Sequence, residues 1–325
     1  MINFLHRKIE NAFTIPQKKG GIFEYILTCI SRLYEVGIWW KNRNQKPPRN
    51  LPCKVISIGN ITVGGTGKTP MALYLAQMLK KEGFSTVVIS RGYGGLSGKK
   101  GAIVSDGANL FLTPREAGDE PYMMAVSLPG ISVLVGRNRY KAGLIAVEKF
   151  NPDVILLDDG FQHRSVYRDV DLVLLDEANS FGNNALLPRG PLREPIRALE
   201  RSSGIVFTRA QMVSEEKRTL FSKPSFFCNH VPFLREIPPE EKMNSTHLKK
   251  SLDLLKGKNI TAFAGIARND LFFAEIRWAG ANIQAVEEFR DHYKYTQKDL
   301  HRIMEIGKIH QSEWIATAGV WVLLL

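Results

Sequence analysis

The stretch Gly59-Asn60-Ile61-Thr62-Val63-Gly64-Gly65-Thr66-Gly67-Lys68-Thr69-Pro70 constrains this chain more than any other. It follows a short apolar run, 53–59, and leads into a helical pattern over 68–82. A strand entering a helix through several glycines reads as a phosphate loop. Gly64, Gly65 and Gly67 let backbone N–H groups, that of Thr66 among them, converge on phosphate oxygens without Cβ interference. The helix starting near Lys68 adds the positive end of its dipole. In such a loop Lys68 reaches the β- and γ-phosphates and the Thr69 hydroxyl ligates Mg²⁺. The pattern G-x-x-x-x-G-K-[ST] asks for glycine at position 62, where Thr62 stands. A glycine-rich connection that binds no phosphate is the plain alternative.

The rest of the chain supplies the sheet that such a loop needs. Runs rich in Val, Ile and Leu recur at 86–89, 131–135, 154–157, 172–175 and 205–207, with helical patterns at 115–127 and 137–149. Buried strands alternating with helices predict an α/β fold: a phosphate-loop NTPase-like, mostly parallel sheet with helices on both faces. In such sheets ligands bind beyond the carboxyl ends of the strands. Pro224, Pro232, Pro238 and Pro239, with a charged run near 235–250, read as a connection. A second alternation follows: strand 259–264, helix 270–279, strand 283–289, helix 296–308, strand 313–317. The expected organisation is an N-terminal segment over 1–50, a phosphate-loop domain over 51–230 and a smaller α/β domain over 231–325. With 44% hydrophobic and 23% charged residues, disorder is excluded for most of the 325-residue chain. Cys29, Cys53 and Cys228 form no C-x-x-C pair, which disfavours a zinc ribbon and a disulfide scaffold.

Residues 154–163 read as a buried strand ending in Asp158 and Asp159, followed by Gly160-Phe161-Gln162-His163. A carboxylate at the tip of an apolar strand is the usual partner of a phosphate loop, holding Mg²⁺ directly or through water. Asp-Gly also suits an ordinary turn. The run 172–177 ends in Asp176 and Glu177 with the same pattern, so Asp176 competes for that role. The polar set after Asp158 and Asp159 favours the first pair.

The formal charge is +12, and residues 1–50 hold nine basic against three acidic residues, a net of +6. Within 22–40 the apolar residues Ile22, Phe23, Ile26, Leu27, Ile30, Leu33 and Tyr34 follow helical spacing. Three charges inside the stretch argue against spanning a bilayer, and no secretory h-region precedes it. Trp39-Trp40 beside Lys41, Arg43, Lys46 and Arg49 suits a helix lying on an anionic membrane surface. The same stretch also suits an amphipathic helix packed on its own domain.

Three more segments complete a pattern: Ser90-Arg91-Gly92-Tyr93-Gly94, Gly118-Asp119-Glu120-Pro121, and Leu187-Pro188-Arg189-Gly190-Pro191-Leu192-Arg193-Glu194-Pro195. With 59–70 and 158–164 they stand in the order and spacing of the tetraacyldisaccharide 4'-kinases, which the chain resembles from about 20 to 310. Asp291-His292-Tyr293 also looks like that family. The resemblance implies transfer of the γ-phosphate of ATP, with Mg²⁺, to the 4'-hydroxyl of an acylated glucosamine disaccharide lipid in lipid A biosynthesis. It implies a helix associated with the cytoplasmic face of the bacterial inner membrane, peripheral or monotopic. By the same resemblance Lys68 and Thr69 hold ATP and Mg²⁺, and Asp119 is the base, paired with His292 from the second domain. Asp158, Asp159 and His163 resemble the metal and polar cluster. Glu194 falls among the metal residues, and Tyr93, Glu120 and Arg193 fall among the other active-site residues. The family's C-terminal Thr-Glu-Lys-Asp-like stretch is replaced by the apolar tail 314–325, so an altered or truncated end is expected.

Two rivals remain. A deviant phosphate-loop switch ATPase carries a Lys before the first loop glycine, where this chain has Val63. A basic nucleic-acid-binding protein is disfavoured because the charge gathers around an amphipathic helix and no nucleic-acid motif occurs, so no nucleic-acid partner is expected.

Overall fold

The computed structural model describes residues 21–99, 101–212, 214–219, 221–229, 236–237, 252–266, 269–290, 293, 295–317 and 322–324. It divides into two units, Met1–Asn229 and His230–Leu325.

The first unit is built on strand β1 (Lys54–Gly59), which is followed by the loop and helix α2 (Lys68–Lys81). Strands β2 (Thr86–Ser90), β3 (Ala102–Ser105), β4 (Ser132–Val135) and β5 (Val154–Asp158) lie on one side of β1. Strands β6 (Val170–Asp176), β7 (Gly204–Thr208) and β8 (Ser225–Phe227) lie on the other, with the short helix α6 (Glu215–Thr219) between β7 and β8. The order is β3-β4-β2-β5-β1-β6-β7-β8, parallel throughout except for β3, which runs antiparallel to β4 at the edge. The strand order therefore turns over at β1, between β5 and β6, the position at which open α/β sheets hold ligands. The expected mostly parallel α/β sheet is present.

Alternate residues feed two cores. Ile58, Val88 and Leu156 pack on one face with Ala72 and Ala76 of α2 and with Met124. Val55, Val87, Ile89, Ile155 and Leu157 pack on the other with Ala142 and Ala146 of α5 (Arg139–Phe150). All five residues of β2 and of β5 are buried, which is why these strands read as continuous apolar runs. The expected helix 115–127 is two helices, α3 (Pro114–Ala117) and α4 (Asp119–Ser127). Gly118 between them takes a φ of 93°, and this left-handed turn makes Asp119 the first residue of a new helix.

Helix α1 (Ile22–Arg43) is packed on its own domain, one of the two readings of the N-terminal segment. One stripe docks: Leu27 and Ser31 are buried, and Tyr34 and Ile38 pack against the cluster of Ile61, Phe161 and Leu186. The Ser31 hydroxyl donates to the Leu186 carbonyl at 2.9 Å and accepts from the Arg189 N–H at 3.1 Å. Tyr34 donates to the Arg193 carbonyl at 3.1 Å. Another apolar stripe faces water, with Tyr25, Leu33, Val36 and Trp40 each more than half exposed. Among the described residues no helix is long and apolar enough to cross a membrane.

In the second unit β10 (Asn259–Ala264) pairs in parallel with β11 (Asn282–Glu288) and β12 (Trp314–Thr317), joined by α7 (Asn269–Trp278) and α8 (Gln297–Ile309). β13 (Val322–Leu324) and β9 (Glu236–Ile237) complete the order β11-β10-β12-β13-β9. α8 opens with a reciprocal cap: the Thr296 N–H donates to Asp299 at 2.9 Å and the Asp299 N–H to the Thr296 hydroxyl at 3.2 Å. The apolar character of the tail is accounted for in part, since Ile315 and Ala316 are buried in β12.

One close approach in the first unit can be tested. A Cβ on Gly59 would lie 2.4 Å from the Phe161 Cβ and 2.7 Å from its backbone nitrogen. Gly59→Ala is expected to destabilise the fold by about 1–3 kcal/mol, the usual cost of overpacking, read as a lower midpoint in urea unfolding.

Candidate active site

The loop after β1 is pinned at both ends and open in the middle. At its entry Thr62 bridges antiparallel to Leu192, with the Val63 N–H donating to Pro191 at 2.8 Å and the Arg193 N–H to Ile61 at 2.7 Å. Residue 62 is thus a buried, sheet-like position and not a tight turn, so threonine serves where the pattern asks for glycine. Gly64 and Gly67 have φ of 105° and 79°, and a Cβ on Gly64 or Gly65 would meet nothing within 4 Å. The glycines leave that side of the loop open to a ligand. At the exit the Thr66 hydroxyl accepts from the Asn60 amide at 3.0 Å, and the Thr66 carbonyl accepts from the Thr208 hydroxyl at 3.1 Å. The Thr66 side chain is therefore committed inward, leaving its backbone to the loop.

Asp176 is committed elsewhere. It pairs with Arg209, whose other guanidinium nitrogen donates to the Gly65 carbonyl at 2.7 Å. Arg209 stands at φ 58°, a strained backbone for a residue with a side chain. Asp176 thus braces the loop through Arg209. Asp158 ends β5 and pairs in register with Ile58, directly beside the loop's start.

The two carboxylates of that tip live in different surroundings. Asp158 is buried, and the Ser90 hydroxyl donates to one oxygen at 3.1 Å while the other has no partner. Burial, then repulsion from Glu120 and Asp159, pushes its carboxyl up to about 6, against the pull of Lys68. Burial also raises the carboxyl of Asp159, but Lys68, Arg193 and Arg139 outweigh it and hold the group below the usual range. The Lys68 ammonium is 3.7 Å from Asp159, and the Arg193 guanidinium is 3.5 Å from both its oxygens. Burial, with the nearby Arg139 and Arg91, lowers His163 to about 4, so its ring is neutral at pH 7.

Three arginines that sequence reasoning passed over hold this turn. Arg139 is fully buried and donates to the Asp158 carbonyl at 3.0 Å and to Gly136 at 2.5 Å. Arg168, paired with Asp171, donates to the Gly160 carbonyl at 2.8 Å and also to that of His163. Arg201 stacks 3.6 Å over the Phe161 ring, donates to the Phe161 carbonyl at 3.2 Å and binds Glu194 at 2.8 Å. In a single sequence such arginines look like any surface arginine. Only Arg209, one residue past the run 205–207 and its terminal Thr208, carries a positional signal.

The structure thus brings Lys68, Asp158, Asp159 and Arg193 together, with Glu120 and His163 near enough to act on that pair of acids. Thr69 lies in the first turn of α2. Glu194 is buried, and its carboxylate is ion-paired with Arg201. Asp119 is exposed at the start of α4. Its position depends on tight backbone contact between the Gly92–Gly95 turn and 116–118: a Cβ on Gly118 would lie 2.6 Å from the Tyr93 carbonyl. His292 lies outside the described residues.

A sequence profile of tetraacyldisaccharide-1-P 4'-kinase matches residues 23–319. The chain belongs to this family. A tetraacyldisaccharide 4'-kinase of Desulfatibacillum aliphaticivorans is 39% identical over 310 residues, covering 93% of this chain and 84% of the relative. Another, of Syntrophus aciditrophicus, is 40% identical with the same coverage. A crystal structure of LpxK from Aquifex aeolicus in complex with ATP matches with a TM-score of 0.68 at 32% identity, over 94% of each chain. Family membership accounts for the co-linear motifs, and all five contribute side chains around this phosphate loop: Lys68, Ser90, Glu120, the Asp158–Asp159 pair and Arg193.

The two strong shifts make a test of the 4'-kinase site without nucleotide or divalent ion. Asp158 binds a proton more tightly folded than unfolded, so its contribution to stability falls as pH rises from about 4 to about 6. His163 binds one less tightly folded, so its contribution rises between about 4 and 6.5. The two slopes oppose each other. Asp158→Asn is expected to steepen the rise in melting temperature between pH 4.5 and 6 relative to the parent protein, and to raise it at pH 8.

Proposed function

We propose that this chain transfers the γ-phosphate of ATP to the 4'-hydroxyl of a tetraacylated glucosamine disaccharide 1-phosphate, in lipid A biosynthesis. The observation that carries the reading is the convergence of Lys68, Arg193 and the tip of β5 on the open side of the glycine loop. Lys68 and the loop N–H groups would hold the β- and γ-phosphates. The unpartnered buried oxygen of Asp158 and the adjacent Asp159 are hard oxygen donors of the kind Mg²⁺ takes. Thr69, Asp158 and Asp159 would hold that ion, which neutralises charge on the transferring phosphoryl oxygens when bound. Asp119, exposed at the start of α4, accepts the proton of the attacking hydroxyl as general base, with His292 as the partner the resemblance implies. Tyr93, Glu120, His163 and Arg193 complete the surroundings of the acceptor and the phosphates.

Lys68→Ala is expected to abolish transfer, measured with labelled ATP and the disaccharide lipid. Asp119→Asn should lower kcat by about 10²–10⁴-fold, the usual value of a general base, while ATP affinity stays unchanged. Equal loss of ATP affinity would make Asp119 a nucleotide ligand. ATP hydrolysis that ignores the lipid acceptor would favour a switch ATPase.

The water-facing stripe of α1 is read as lying on the cytoplasmic face of the inner membrane, where the acylated acceptor resides. Ile26→Gln, Leu33→Gln and Val36→Gln together change exposed positions only. The triple variant should keep its melting temperature and lose binding to phospholipid vesicles in flotation.

A further inference from the structure

At the C-terminal end of α1 a cavity of about 270 Å³ lies between 42–48 and 164–171. Lys46, Arg164, Arg168 and Arg201 line it, with Gln45 and Tyr167 beside them. Two of the four cations are already matched, Arg168 by Asp171 and Arg201 by Glu194. The other two are not. Arg164 is partly buried and makes no hydrogen bond or ion pair among the described residues, and neither does the Lys46 side chain. Burial, then the nearby Arg201, disfavours the charged form of Arg164, with Glu194 opposing and Arg168 adding. A guanidinium drawn out of water beside like charges is stabilised by an anion joining it. Two unmatched cations suit a phosphate.

The cavity's place narrows the source. Asn42 lines it, two residues beyond Trp40. Trp39 and Trp40 are both more than half exposed, and Arg43 lies 5.4 Å over the Trp39 ring. Exposed indoles settle at headgroup depth in a bilayer, so the cavity lies where lipid phosphates are. Its volume of about 270 Å³ has room for a headgroup phosphate. No residue of the glycine loop lines it. We propose that this cavity is a subsite for the phosphate of an anionic membrane headgroup, held by Arg164 and Lys46. This rests on the interfacial reading of α1.

The test uses the full chain in flotation with phosphatidylcholine vesicles, with and without phosphatidylglycerol. The parent protein should bind the anionic vesicles more tightly. Arg164→Ala and Lys46→Ala should each remove about fivefold of that preference, the effect of one basic side chain at an anionic surface, and the double variant about 25-fold. Arg164→Lys should retain most of it. Lys46 is exposed on the linker, so its truncation leaves the fold intact, and unchanged ATP affinity verifies this for Arg164→Ala. Binding to phosphatidylcholine alone should persist in the cavity variants and vanish in the α1 triple variant, which separates failure of the subsite from failure of the interfacial helix. An unchanged preference in the double variant overturns the proposal. So does a preserved preference with a raised KM for the disaccharide 1-phosphate, which would assign the cavity to the acceptor's own phosphate. Equal displacement of parent and double variant by inorganic phosphate also overturns it.

Discussion

Two adjacent carboxylates at the end of a buried strand are the constraint around which the first unit is arranged. Asp158 and Asp159 repel each other where little water can screen them, and the fold answers with cations from separate parts of the chain. Lys68 arrives from α2, Arg139 from α5 and Arg193 from the segment that pairs with the loop's entry. The compensation is uneven. Asp159 receives most of the positive charge and stays ionised, whereas Asp158 keeps a bare oxygen and a raised carboxyl. A site of this kind holds electrostatic energy that a phosphate-bound divalent ion can release, and stability gives way to function at that point.

The second requirement is that the turn carrying these acids stay in one conformation. Its carbonyls at 158, 160, 161 and 163 are all bound by guanidinium groups, from Arg139, Arg168 and Arg201. Arginine suits this because its fork can satisfy a carbonyl and a carboxylate together. Asp171 and Glu194 then serve as counterions to these braces. The same device recurs at Arg209, which joins Asp176 to the Gly65 carbonyl. Asp176, whose strand-tip pattern competed for the metal, and Glu194, for which the family resemblance implied it, are each ion-paired with an arginine.

Helix α1 carries two apolar stripes, one docked and one exposed. A narrow stripe, Leu27, Ser31, Tyr34 and Ile38, binds the 186–193 segment and the core beneath it. That segment also pairs with the loop's entry at Thr62. The apolar residues outside the stripe remain in water and are available to a bilayer. The helix is therefore connected through a single strip of backbone to the phosphate loop.

The sequence by itself determined the class of sheet, the loop and its lysine, and the pair of acids at the tip of β5. These are local properties: a period of buried residues, a glycine spacing, and a polar pair ending an apolar run all depend on neighbours in the chain. It also pointed to the exposed aromatic and basic end of α1. Only the tertiary structure decided the rest. Gly118 split a helix that apolar spacing alone had joined. Thr62 proved acceptable because a partner strand 130 residues away made it extended. Asp158 and Asp176, alike in sequence, were separated by which arginine came near. Such choices depend on contacts between distant segments, whose energies vary with burial and charge, and neither is set by the residues adjacent in sequence.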